Sequence, residues 1–106
     1  MCMKKKIYNF LDEYVGEGAE AEFQETPLRT WSEAYNLVSN NGTLIFWFII
    51  RNDEIKIYKS ESLCRKIEGY FGIDKNDSWK YIRDWFGEKY GMRSLADILK
   101  FLPQNN

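Results

Sequence analysis

The sequence predicts an α+β protein in which a small antiparallel sheet is covered by about five short helices. A run of β-branched and aromatic residues, a turn and an alternating segment predict a hairpin at about residues 43–59. Residues 19–25 alternate small or aromatic side chains with Glu and Gln, which predicts a third strand. The remaining segments repeat apolar residues at helical spacing, so we expect helices on one face of the sheet.

The first helix and the first strand lie near the N-terminus. Residues 4–15 repeat apolar side chains at helical spacing, with acids on the opposite side, and Gly16 ends the pattern. The strand at 19–25 follows, and it ends at Thr26 and Pro27.

A second helix is predicted at about residues 30–39. Thr30 and Glu33 have the spacing of a capping box, in which each side chain bonds to the backbone amide of the other residue. Asn40 to Gly42 end this helix. Its expected inward side chains are Trp31, Ala34, Tyr35 and Val38.

The hairpin joins two segments of different character. Leu44–Ile50 is apolar throughout, as expected of a strand that is covered on both faces. Asn52 and Asp53 fit a two-residue turn. Ile55–Lys59 alternates, so it should return antiparallel to the first segment.

Three helices are predicted after the hairpin. Ser60 caps the first of them. Asp77 or Ser78 caps the second, which runs to about Tyr90. Ser94 opens the third, whose expected inward side chains are Leu95, Ile98, Leu99 and Leu102.

Length and composition limit the class of protein. The chain has 106 residues, which predicts a single domain, and 44% of them are hydrophobic. The formal net charge is −1, so the protein has no global field to attract nucleic acid or an anionic membrane. The longest apolar run has seven residues, against about 20 for a membrane helix, and no secretory segment follows the N-terminal lysines. We therefore expect a cytoplasmic protein.

The sequence carries no catalytic signature. It contains no histidine, which excludes Ser-His and Cys-His nucleophile pairs and imidazole-based zinc sites. Cys2 and Cys64 form no close-spaced pair, so neither a disulfide framework nor a thiolate metal site is predicted. The enzymatic alternative uses carboxylates or Cys64, which is predicted in a first helical turn beside Arg65 and Lys66. We predict a non-enzymatic protein with no catalytic residue, metal or cofactor.

The helix from Ser78 to Tyr90 has an unusual distribution of apolar side chains. Tyr81 and Trp85 lie beside its inward stripe and widen the apolar arc to about half of the circumference. They either pack on the last helix or form a protein-binding patch, because Trp, Tyr and Arg often anchor interfaces. The predicted partner-binding residues are Tyr81, Trp85, Arg83, Lys80 and Lys89.

These observations favour a small intracellular protein–protein interaction or regulatory module, whose partner is another protein or a second copy of the chain. The alternative is a nucleic-acid-binding protein, because six bases in the C-terminal helices lie near aromatic side chains that can stack on nucleobases. Five acids among those bases nearly cancel the charge that phosphate binding needs. A third hypothesis gives the binding role to the stretch from Asp12 to Glu33, which has seven acids against one base.

Overall fold

The computed structural model describes residues 2–25, 31–91 and 94–102. It confirms the α+β class, with a four-stranded antiparallel sheet and four helices in these ranges. None of the described helices is long and apolar enough to cross a lipid bilayer. In chain order the elements are α1 (Met3–Val15), β1 (Ala19–Phe23), β2 (Glu33–Ser39), β3 (Leu44–Arg51), β4 (Glu54–Lys59), α2 (Glu61–Phe71), α3 (Lys75–Tyr90) and α4 (Leu95–Leu99).

Every strand of the sheet pairs with its neighbour in the chain, in the order β1-β2-β3-β4. The predicted hairpin is confirmed as β3 and β4, and the predicted third strand is confirmed as β1. Asn52 and Asp53 form the hairpin turn, with φ angles of 50° and 64°. This left-handed backbone is typical of two-residue turns, because its twist matches that of the flanking strands.

The predicted helix at about residues 30–39 is wrong, because this segment contains strand β2. β2 lies between β1 and β3, so neighbouring strands flank both of its edges. Tyr35 and Leu37 pack in the core, whereas Asn36 points to the other face. The alternation is hidden in the sequence because Ala34, on the same side as Asn36, is also apolar and buried. Hydrogen bonding to strands on both edges outweighs the weak helical spacing of apolar residues in this segment.

The start of β2 also differs from the prediction. Trp31 is 59% exposed rather than inward. Thr30, the first residue of the expected capping box, lies outside the described residues. Glu33 begins the strand, and its carboxylate accepts a hydrogen bond of 3.0 Å from the hydroxyl of Tyr35.

The core lies between the sheet and the first three helices. Phe46 of β3 lies at its centre, with its ring edge to face with the rings of Phe86 and Trp79 at centroid distances of 5.1 and 6.3 Å. We call the side of the sheet that carries Phe46 the helix face. The fully buried side chains that α1 adds to this core are Ile7, Leu11 and Val15.

Of the three caps predicted for the helices after the hairpin, two are confirmed. Ser60 and Ser94 cap α2 and α4 as expected. α3 begins earlier than predicted because Asp74, rather than Asp77 or Ser78, is its cap. The carboxylate of Asp74 accepts a 2.9 Å hydrogen bond from the amide of Asp77, and Ser78 is fully buried within the helix.

α4 and the segment after it lie near the first strand. Ile98 is 5% exposed and belongs to the core, whereas Leu99 is 42% exposed and is not inward as predicted. The side chain of Leu95 lies outside the described part of the chain. The amide of Ala21 donates to the carbonyl of Phe101 at 3.0 Å, so this segment covers part of the outer edge of β1.

The turn between β2 and β3 holds the end of α1. The side-chain amide of Asn41 donates to the carbonyl of Tyr14 at 2.6 Å, and that of Asn40 donates to the carbonyl of Glu17. Carbonyls at a helix C-terminus need such external donors. Gly18, with a φ of 82°, lies so close that a Cβ there would come within 2.9 Å of the Asn40 side chain. The asparagines therefore fix α1 to the sheet rather than ending a helix.

Candidate functional site

Trp85, the central residue of the predicted partner-binding patch, is part of the core. Its side chain is 2% exposed, and its ring packs edge to face on Tyr90. The indole Nε1 donates a 2.9 Å hydrogen bond to Oδ1 of Asp12 in α1. The polar atom of this ring thus already has an acceptor within the chain, so Trp85 offers no surface to a partner in this structure.

The other predicted partner-binding residues do not form one surface with Trp85. Tyr81 is half-buried and packs against the core. Lys80 and Arg83 are exposed, and they lie roughly 140–160° around α3 from Trp85 at 100° per residue. Lys89 is close to Trp85, but its Nζ pairs with Asp12 at 3.2 Å. The structure therefore divides the predicted patch between the core and separate sides of the helix.

A groove of about 510 Å³ runs between α1 and α3. Three of its charged side chains are in ion pairs between the two helices, because Lys89 pairs with Asp12 at 3.2 Å and Glu88 pairs with Lys4 at 3.4 Å. Burial and, to a smaller extent, the nearby Glu88 carboxylate raise the pKa of the Tyr8 hydroxyl. The residues that line the groove are Tyr8, Asp12, Glu17, Trp85, Glu88 and Lys89.

Cys64 lies in the first turn of α2, as predicted, but it is fully buried. Burial raises the pKa of its thiol, although a hydrogen bond with Ser78 and the charge of Lys59 act in the opposite direction. A neutral, buried thiol is inert as a nucleophile. Among the described residues, no group of three or more acidic or Cys side chains is arranged to hold a metal ion.

The side of the sheet turned away from the helices carries a second aromatic group. Strand pairing places Glu22, Asn36, Trp47 and Tyr58 in one row across all four strands. The rings of Trp47 and Tyr58 are stacked, with centroids 4.0 Å apart and planes 13° apart. Neither residue belongs to the packed core, and Tyr58 is 36% exposed. We call this side the open face, and its apolar centre consists of Val38, Trp47, Ile49 and Tyr58.

Opposite charges lie on the two sides of the open face. Glu20 and Glu22 belong to β1, at one side of the sheet. Arg51 and Lys56 belong to β3 and β4, at the other side, where Glu54 faces Arg51 across the hairpin. Among the described residues, none forms an ion pair with Glu20, Glu22 or Lys56. The face is therefore acidic along β1 and has its basic groups near β4.

A pocket of about 250 Å³ opens on the acidic side of the open face. It combines two carboxylates with the apolar side chain of Val38, a lining that suits a lysine or arginine, whose aliphatic stem packs while its charged head stays near the acids. The residues that line the pocket are Glu20, Glu22, Val38, Ser39, Asn40 and Gly42.

Comparison of the chain with models of protein families, with curated proteins and with solved structures finds no match.

The sequence prediction missed the open face because it treated Leu44–Ile50 as covered on both sides. In the structure, Trp47 and Ile49 are half-buried and lie outside the packed core. The acids of β1 were the available signal, because Glu20 and Glu22 alternate with inward alanines. A strand with one charged side predicts a sheet whose second face is open.

Proposed function

We propose that this chain is a small, non-enzymatic protein–protein interaction or regulatory module that binds its partner through the open face of the sheet. The observation that carries the proposal is the stacked pair of Trp47 and Tyr58, which lies on that face outside the core. Trp and Tyr are enriched among the residues that dominate binding energy, and such residues cluster near the centre of an interface.

The surroundings of the stacked pair support a protein partner. Val38 and Ile49 extend the apolar centre, and charged residues lie around it. An apolar centre with a polar rim is the usual anatomy of a protein interface. Val38, Trp47 and Ile49 belong to the inner strands β2 and β3, each of which is paired on both edges. The backbone that carries these side chains is therefore fixed before binding, which lowers the entropic cost of association.

The nucleic-acid alternative gains no support from the C-terminal helices. Lys89 is paired with Asp12, and Lys100 is paired with Asp97 at 3.2 Å. Trp85 is buried and cannot stack on a base. Glu20 and Glu22 lie on the same face of the sheet as the aromatic pair and would repel phosphates there.

The proposal is tested with Trp47→Thr/Tyr58→Thr, which removes both rings but keeps side chains that favour strands. The folded wild-type protein and this variant are immobilised, exposed to nuclease-treated cell lysate, and the retained proteins are compared. We expect the variant to lose the specifically retained protein while its circular dichroism spectrum stays unchanged. Tyr70→Ser, which removes a 73% exposed aromatic residue on α2, is the matched control and should retain the partner.

Retention of the same protein by the folded double variant would contradict the proposal. Retention that disappears with nuclease, together with an affinity that falls steeply with salt, would instead favour the nucleic-acid alternative.

We also propose that the protein acts in the cytoplasm. Both of its cysteines are free thiols, and Cys2 is exposed. Exposed thiols persist in reducing compartments, whereas oxidising ones convert them to disulfides.

A further inference from the structure

The geometry points to a second copy of this chain as the occupant of the open face, in a twofold dimer whose two sheets pack face to face. This inference rests on the proposed function, since it names the partner that the open face binds. Two features of the face support it, namely the distribution of charge between β1 and β4 and the apolar centre.

The charges of the open face are complementary to themselves. A twofold axis that runs along the strands, between two facing sheets, places β1 of one copy over β4 of the other. Tyr58 of one copy then faces Glu22 of the other, Lys56 lies two residues, about 7 Å, along the strand from that Glu22, and the same contact occurs twice. A twofold axis across the strands would instead place like charges over each other, so the charge pattern selects one of the two arrangements.

The same axis brings the apolar centres together. Trp47 lies on an inner strand of the sheet, so the two Trp47–Tyr58 stacks lie side by side on either side of the axis. Sheets packed in this way keep their strands within about 30° of each other, and the inner side chains interdigitate. The pair of open faces thus becomes the core of a four-layer arrangement, with helices outside.

The size of the face sets the expected strength of the dimer. Four strands of about five residues cover roughly 300 Å² in plan. A face of this area places the dimer at the small end of protein interfaces, which are weak and transient, so we expect rapid exchange between monomer and dimer.

The test uses charge reversal on the full chain, followed by sedimentation velocity over about three decades of concentration. Glu22→Lys places like charges against Lys56 of the partner, and Lys56→Glu places them against Glu22, so each variant alone should dimerise at least about tenfold more weakly than wild type. A mixture of the two variants should recover the dimer, because every facing pair in the heterodimer again has opposite charges. Glu13→Lys and Arg65→Glu, at exposed positions of α1 and α2, are the matched controls and should dimerise as wild type does.

Each outcome decides the inference. Recovery of the dimer in the mixture confirms the face-to-face arrangement, whereas a mixture that stays monomeric overturns it. Dimers that persist in Trp47→Thr/Tyr58→Thr also overturn it, because they form elsewhere. A wild-type protein that is monomeric at every concentration overturns the second copy as occupant. The proposed function stands separately if the open face still retains a foreign protein from lysate.

Discussion

Aromatic residues are frequent both in the contact between α1 and α3 and on the open face of the sheet. The two regions differ in how the aromatic side chains are packed and hydrogen-bonded. In the helix contact, the indole of Trp85 is buried and its N–H donates to Asp12. On the open face, Trp47 and Tyr58 stack on each other, with charges of opposite sign on either side. The first arrangement completes the fold, and the second leaves apolar surface and charge for a partner. Aromatic content alone therefore does not locate a binding surface.

The largest expected effect is a difference in the free energy of unfolding between variants of two consecutive residues, Phe46 and Trp47, which point to opposite faces of the sheet. Phe46→Ala removes the ring at the centre of the core and should lower the free energy of unfolding by about 3–5 kcal/mol. Trp47→Ala removes a larger, half-buried ring from the open face and should cost less than half as much, because little of its surroundings is packed. Urea denaturation of both variants measures the difference. Equal losses would mean that the open face is part of the core.

The second prediction concerns the hydrogen bond that closes the contact between α1 and α3. Trp85→Phe keeps an aromatic ring but removes the donor to Asp12, and it should lower the free energy of unfolding by about 1–2 kcal/mol. Asp12→Asn keeps an acceptor for the indole and removes only the exposed ion pair with Lys89, which is worth at most about 1 kcal/mol. Thermal or urea unfolding compares the two. A larger loss from Asp12→Asn would show that the ion pair, rather than the indole, joins the helices.

A third prediction follows from the buried thiol of Cys64. Burial raises its pKa above the ordinary value of 9.0, so the unfolded chain releases this proton first as the pH rises. Stability from this group is fully present below about pH 9 and is lost as the pH rises through the folded pKa. Tyr8 and Tyr35, whose pKa values are also raised chiefly by burial, extend the loss to higher pH. Cys64→Ala should flatten the first part of the decline in urea melts at successive pH values.

The same burial predicts a difference in reactivity between the two thiols. At pH 8 a thiol reagent should modify the exposed Cys2 rapidly and Cys64 only after unfolding. Fast modification of both thiols in the native protein, with Cys2→Ser used to assign the sites, would contradict the burial of Cys64.

The smallest effect concerns the turn that joins the two strands of the stacked pair. Asp53 has a φ of 64°, a conformation that costs less for Gly than for other residues. Asp53→Gly should therefore raise the free energy of unfolding by about 0.5 kcal/mol, without changing dimerisation on the open face. Asn52→Ala is the opposite control, because alanine is strained at the φ of 50° that Asn52 adopts, and it should be destabilising.

Local signals in the sequence predict most of the elements. The hairpin, α1, the caps at Ser60 and Ser94 and strand β1 all follow from spacing and turn residues. β2 could not be predicted in this way, because its conformation depends on two neighbouring strands rather than on its own residues. The same limit applies to the site. Whether Trp47 or Trp85 is exposed depends on which face of the sheet the helices cover and on a contact with Asp12, 73 positions away in the chain.

The separation of 73 residues between Asp12 and Trp85 delays the contact between α1 and α3 while the chain is being synthesised. The strands pair with their neighbours along the chain, so the sheet closes through short loops. α1 is made first, but its contact with α3 needs Trp85, which follows Asp12 by 73 residues. At ribosomal speeds this interval lasts about 4–15 s. During it, the apolar side of α1 formed by Ile7, Leu11 and Val15 lacks α3, one of the elements that shares the folded core with it. The hydrogen bond between α1 and α3 is therefore among the last contacts of the fold to form, although α1 is the first element to be made.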